Sequence, residues 1–227
     1  MSPLTPSPTT PSPDSTKKRR ARDTRERLLR SAAKVLASKG YGQTRLDAVA
    51  ELAGVRSPAV YYHFASRDDL VAATLEVGQQ RVREHVQEAI AETARQPWDQ
   101  QLTTAVTAHL RIQLELSDFA KAVSRNAGHV PEPIREQMHA ESEAYHNVWR
   151  ALLIDGQSLG WVNPHLDLSL SRMLVIGALN WATEWWAGGK PMDDLVMTAC
   201  ELIRAGLAPQ IEGVDPATAR GGVTRTR

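Results

Sequence analysis

The sequence predicts an all-α protein, with an N-terminal three-helix unit built around a helix-turn-helix and a larger C-terminal helical domain. Three observations predict it. Apolar residues recur at the helical period, while β-branched clusters and hairpin dipeptides between alternating runs are missing. Side chains able to cap helices stand just ahead of the apolar stripes. Glycines and prolines fall where the stripes end.

The elements follow in chain order. Residues 1–16 (MSPLTPSPTTPSPDST) are nearly all Pro, Ser and Thr, a composition expected to form a disordered tail. Lys17, Lys18, Arg19, Arg20 and Arg22 then place five positive charges in six residues, expected as an arm that reaches an adjacent minor groove or remains solvated. Asp23 with Glu26 opens a helix over 23–39, closed by Gly40 and Gly42. Thr44 with Asp47 opens a second over 44–52, ended by Gly54. Ser57 as cap, with Pro58 in the first helical position, opens a third over 57–63. Ser66 with Asp69 opens a fourth over 67–94, which bridges the two domains. Beyond Pro97, helices are expected over 98–116, 118–127, 132–158, 166–187 and 193–206. Periodicity fades from Gly206, and 207–227 is expected to be a second disordered tail. The domains are thus 17–66, with the basic arm, and 67–206.

Lys and Arg (27) nearly balance Asp and Glu (26), giving a net charge of +1, so affinity for nucleic acid must come from where the basic residues sit. The single cysteine, Cys200, cannot form an intramolecular disulfide or a thiolate metal cluster, and no hydrophobic signal peptide precedes it. A cytoplasmic location is expected. The longest strongly apolar run, Met173 to Leu179, is well short of the roughly 20 residues a spanning helix needs, so no membrane partner is expected.

Each of the first three helices carries one apolar stripe: Leu28, Ala32, Val35 and Leu36; Leu46, Val49, Ala50 and Ala53; Val60 and Phe64. Two short helices joined by Ala53-Gly54-Val55 form a helix-turn-helix, whose second helix can enter a major groove about 12 Å wide. With Val60 and Phe64 inward, Ser57, Pro58, Ala59, Tyr62 and His63 fall outward, a face of hydrogen-bonding, stacking and methyl-contacting groups. Thr44, Arg45, Arg56 and Arg67 flank it near helix N-termini, where phosphates are held.

The segment Thr44–Leu70 (TRLDAVAELAGVRSPAVYYHFASRDDL) closely resembles the DNA-binding domain of TetR-family transcriptional regulators. The likeness covers roughly 23–75, including the Gly-Tyr-Gly exit of the first helix and the Tyr-Tyr-His-Phe reader. It implies a homodimeric, ligand-responsive repressor whose DNA contacts include Thr44, Ser57, Pro58, Ala59, Tyr61, Tyr62 and His63. Arg67 replaces a lysine common there, and Arg45 a usual Ser or Thr.

In the second domain, the stretch from Met173 to Trp181 is apolar on almost every side, as expected of a helix covered by its own domain and by a second subunit. With the 193–206 helix it could form a four-helix dimer interface, the arrangement the resemblance implies. Five of the six tryptophans lie in this half. Trp149 shares a stripe with Tyr145, and Trp181 and Trp185 are spaced i, i+4, so they could face one cavity. Arg125 to Gly189 looks like a TetR-family branch responsive to acyl-CoA thioesters. The candidate ligand contacts are Phe119, Arg125, Tyr145, Trp149, Asn180, Trp181 and Trp185; an acyl-CoA and another apolar or acidic effector both stay open.

Two patterns suggest other chemistry. Gly156-Gln157-Ser158-Leu159-Gly160 fits the Gly-x-Ser-x-Gly nucleophile pattern, but that pattern works on a strand-to-helix elbow and this segment ends a helix. His139, Glu143 and His146 share a helix face and could hold zinc or nickel, though no fourth ligand is evident. No cofactor or catalytic role is expected. A repressor is the expected function; an activator, an effector-independent DNA-binding protein and a small-molecule-binding enzyme are the alternatives.

Overall fold

The computed structural model describes residues 13–186 and 189–209. Among them run nine α-helices and no strand: α1 (Pro13–Lys39), α2 (Leu46–Leu52), α3 (Ser57–His63), α4 (Arg67–Glu92), α5 (Trp98–Arg111), α6 (Asp118–Asn126), α7 (Glu132–Ser158), α8 (Leu168–Trp185) and α9 (Met192–Leu207). The expected tails, apart from residues 13–16 and 207–209, lie outside the described residues.

Helix α1 begins at Pro13 rather than Asp23. Lys and Arg are good helix formers and proline is accommodated in a first turn, so the basic block continues the helix. The expected arm is therefore helical, and Glu26 lies inside α1, accepting from Arg30 one turn on. The caps divide. Ser66 accepts from the Asp69 amide at 3.0 Å and Asp167 from Ser169 and Leu170, as side-chain caps do. At α2 the cap position is Arg45, and at α3 it is Arg56, neither with a side-chain cap bond. Ser57 is instead the first residue of α3 and donates its hydroxyl to the Asp47 carboxylate at 2.9 Å, tying the reader helix to α2. Gly54 turns the chain between them at φ +65°, where a side chain would be strained.

Three apolar clusters stack along the molecule. The first joins α1, α2 and α3 through Leu28, Ala32, Val49, Val60 and Phe64, and also takes Leu70 and Phe119. The second sets Leu36 of α1 against Val71 and Leu75 of α4, Ala122 of α6 and Met138 of α7. The third fills the C-terminal domain with Val82, Val86, Leu102, Trp149, Leu153, Val175 and Leu179. Helix α4 contributes to all three, so it carries contact from the reader unit to the far core. The 98–116 helix is interrupted: α5 widens into a π-turn over Ile112–Leu116 before Ser117 caps α6. At the other end Leu207 is buried in the third cluster, so α9 reaches one residue into the expected tail.

Candidate DNA interface and effector cavity

Helix α3 presents what a reader helix requires. Val60 and Phe64 are buried, while Tyr61 and Tyr62 are 60% and 76% exposed, with Pro58 beside them. Such exposure of large aromatics is costly to solubility unless a partner covers them. Ser57, Ala59 and His63 are half-buried at the edge of the face. The Tyr62 and His63 rings meet edge to face at 5.0 Å, which orders the tip of the helix. Burial, and secondarily the charge of Arg25, hold the His63 imidazole below its ordinary range, so the face is uncharged at neutral pH. Arg45 and Arg56 stand exposed beside it, and Lys17, Lys18, Arg19, Arg20 and Arg22 are exposed along α1.

Two expected phosphate contacts are turned inward. Thr44 is 2% exposed; its hydroxyl donates to the Gly40 carbonyl at 2.8 Å and its amide to Tyr41. Arg67 donates to the carbonyls of Thr44 and Tyr41 and lies 4.1 Å over the Tyr41 ring. Both side chains fasten the turn between α1 and α2, because that turn leaves carbonyls that only a nearby donor can satisfy. Of the expected phosphate contacts, the cations left exposed are Arg45, Arg56 and the α1 block.

The C-terminal domain holds a partly open cavity of about 190 Å³ lined by Gln79, Val82, Gln113, Val123, Tyr145, His146, Ile176 and Asn180, among others. A wider, open groove of about 690 Å³ runs past Tyr41, Arg125, His129, Asn180 and Trp181. Of the seven expected ligand contacts, Tyr145 and Asn180 meet at the cavity, and Arg125, Asn180 and Trp181 at the groove. Phe119 does not join them: it is buried in the first core, with the Arg81 guanidinium 4.1 Å over its ring. Trp149 is wholly buried, edge-on to His109, so it supports the cavity wall from behind. Trp185 is exposed and packs against Trp186. Helical spacing placed these rings on stripes without distinguishing inward from outward.

Several residues that patterning missed set the chemistry. His109 is fully buried, with Nδ1 bonded to the Tyr145 hydroxyl. Burial drives its pKa down to about 4, opposed in part by Asn180, and burial pushes the Tyr145 hydroxyl up. Both are neutral, and a single short hydrogen bond joins the phenol to Nδ1. Gln113 bridges Ser124 of α6 (2.7 Å) to Asn180 of α8 (3.3 Å). Asn126, also buried, accepts from the Tyr41 amide at 2.6 Å and donates to the Leu36 and Ala122 carbonyls. Arg125 donates to the Ala37 and Ser38 carbonyls at the end of α1. Polar residues in the last turn of a predicted helix were the only sequence signal for this latch.

The nucleophile-like pattern has a structural explanation. Ser158 ends α7 and bonds back to the Asp155 carbonyl, and Gly156 packs so closely on Trp98 that a Cβ there would stand 2.4 Å from its ring. Among the described residues, no three His, Cys, Asp or Glu side chains gather to hold a metal ion, His139, Glu143 and His146 included. Among them, too, no helix is long and apolar enough to cross a membrane.

An exposed aromatic helix on a helix-turn-helix, joined through one long helix to a domain with a partly open cavity, defines a DNA-binding regulator with a ligand-binding domain. The tetR family of bacterial regulatory proteins matches at residues 28–74, and the tetracyclin repressor-like C-terminal domain at 95–207. The chain belongs to the TetR family of transcriptional regulators. It is 21% identical over 183 residues to a fatty acid metabolism regulator protein of Bacillus subtilis, covering 79% of this chain and 93% of that one. It is 26% identical over 176 residues to the transcriptional activator FasR of Mycolicibacterium smegmatis, covering 75% and 76%. The crystal structure of FadR from Bacillus subtilis in complex with stearoyl-CoA superposes with a TM-score of 0.70 at 19% identity, covering 80% of this chain and 98% of that one.

Proposed function

We propose that this regulator is a homodimeric repressor that binds a near-palindromic operator through α3 of each subunit and leaves it when a small molecule enters the C-terminal domain. The observation that carries the reading is the uncharged, exposed face of Pro58, Tyr61 and Tyr62 between Arg45 and Arg56. Cations of this kind set register on phosphates while the uncharged face reads base edges. The helical α1 block adds a line of phosphate contacts from Lys17 to Arg22. Thr44, Ser57, Ala59, His63 and Arg67 support that face by holding the turn and the tip of α3.

A second subunit is supported by α8 and α9. Leu170, Met173, Leu174, Trp181 and Trp185 of α8, with Met197 and Leu202 of α9, are large apolar residues left exposed in the single chain. Pairing the two helices with their copies would cover them and set two reader helices side by side. The effector class with most support is an acyl compound, as its CoA thioester or as the free acid; the thioester follows the stearoyl-CoA complex of the related regulator. No catalytic role is proposed, and the protein acts in the cytoplasm, where its DNA is.

Release requires the effector to favour the conformation that does not fit DNA, since equal affinity for both shifts nothing. Helix α4 is the lever, and α6, latched to the end of α1 by Arg125 and Asn126, acts alongside it. An activator is the second reading, favoured by the likeness to FasR.

Footprinting on the DNA upstream of the protein's own gene tests the core of this. Two protected half-sites about one helical turn apart are expected, with protection lost in Tyr62→Ala. Protection without sequence preference, or unchanged in Tyr62→Ala, would overturn it. A reporter on the same DNA separates the two readings: deleting the regulator raises transcription if it represses and lowers it if it activates.

A further inference from the structure

Two hydrogen-bonded amides stand between the cavity of the C-terminal domain and the open grooves outside it. Gln113 lines both the 190 Å³ cavity and a groove of about 330 Å³ that continues past Lys121, Thr183 and Trp186. Asn180 lines both the cavity and the 690 Å³ groove. The two grooves meet at Arg125, Thr183 and Glu184, which line both. Gln113 is 2% exposed and sits in the π-turn over Ile112–Leu116, a feature that recurs at functional sites within helices. Its Oε1 accepts from the Ser124 hydroxyl at 2.7 Å, which fixes the amide. Its Nε2 reaches the Asn180 Oδ1 only at 3.3 Å, beyond the usual length for such a bond. A carbonyl oxygen inserted between the two side chains would take over that N–H, so no buried donor would be left unmet.

The spaces on either side define what that carbonyl joins. Among the described residues lining the cavity there is no lysine or arginine. Its one imidazole, His146, is held below the ordinary range by burial first and then by Arg172, so no cation there offsets a carboxylate. Val82, Val123 and Ile176 give the cavity an apolar wall. A dry cavity of about 150 Å³ accommodates benzene, and the 190 Å³ here suits a ring or a short chain. Charge lies beyond the amide pair, where Lys121 and Arg125 line the grooves together with the Glu184 carboxylate. Arg125 also holds the end of α1 through the Ala37 and Ser38 carbonyls, so a polar group in the grooves lies at the latch between the two domains.

We propose that Gln113, in place of its bond to Asn180, donates to the carbonyl of an acyl thioester whose short or aromatic acyl group fills the cavity and whose charged carrier lies in the grooves past Arg125. The inference rests on the effector role proposed for the C-terminal domain. Within that role it selects a thioester over the free acid, and a small acyl group over a long one.

Calorimetric titration of the full chain with hexanoyl-CoA, its thioether counterpart hexyl-CoA, hexanoate, palmitoyl-CoA and CoA tests it. Hexyl-CoA lacks the carbonyl and would leave both amides unpaired, so hexanoyl-CoA should bind about tenfold more tightly or better. Hexanoate, palmitoyl-CoA and CoA should each bind more weakly than hexanoyl-CoA by a similar factor. Gln113→Leu should bind hexanoyl-CoA and hexyl-CoA alike. Thioester and thioether bound alike by wild type, a preference that survives Gln113→Leu, hexanoate or palmitoyl-CoA bound as tightly as hexanoyl-CoA, or binding of no compound in the set would each overturn it. The thioester-against-thioether comparison is made on wild type, so it stands even if the variant folds poorly. Operator binding is measured separately on the unliganded protein, so its failure would sink the regulator reading while the titration still decides the role of Gln113.

Discussion

His109 sets a pH limit on the fold. Its pKa is about 4 in the folded protein and 6.5 when unfolded, so between those values the unfolded chain binds the proton and the folded one does not. Its contribution to stability is therefore complete above pH 6.5 and is lost as pH falls through about 4, amounting to about 3 kcal/mol. His63 and His146, also held below their ordinary range, add in the same direction. Urea unfolding midpoints measured from pH 7 to pH 4 should fall along that window, and fall less steeply in His109→Gln; an unchanged slope in the variant would assign the pH dependence elsewhere. At this scale the sequence was legible only in part. Tyr62 follows from the stripe that buries Val60 and Phe64, while Tyr61 was legible only through the family resemblance. Thr44 and Arg67 do not, because whether a polar side chain meets a phosphate or a neighbouring carbonyl depends on how the 40–44 turn closes.

At the scale of elements, the latch between α6 and the end of α1 ties the C-terminal domain to the reader unit. Asn126 satisfies the Tyr41 amide and the Leu36 carbonyl at once, so Asn126→Ala leaves both without that partner. A loss of about 1–3 kcal/mol in stability is expected from such buried groups, with operator binding retained and the effector's power to release DNA reduced several-fold. Thermal unfolding and effector-dependent anisotropy, run side by side, check both parts; a variant that is destabilised yet released as readily as wild type would remove α6 from the coupling path. Helix positions themselves were readable, since α2 to α4 and α6 to α9 fall within a few residues of where caps, glycines and apolar periods put them. The misses have physical causes. The block ahead of Asp23 is made of good helix formers that continue α1, and a π-turn such as that at 112–116 leaves no mark on a helical apolar period.

For the whole molecule, the exposed apolar face of α8 and α9 is where the proposed dimer would form. Leu174→Arg, at one of its most exposed positions, should yield a monomer by sedimentation and weaken operator binding by at least tenfold, since two half-sites must then be bound independently. A dimer that survives the change would place the interface on another surface. Composition gave little warning of any of this: a net charge of +1 conceals basic residues gathered along α1 and around α3, and the cavity could not be read from spacing because its walls come from five different helices. In the proposed function one chain reads DNA and releases it on sensing a small molecule. Fluorescence anisotropy of the full chain on its own upstream DNA, at stated salt, repeated with acyl-CoA thioesters and the matching free acids, tests it most directly. The account predicts sequence-specific binding that one class of these compounds reverses; specific binding that no effector alters, or binding indifferent to sequence, would contradict it.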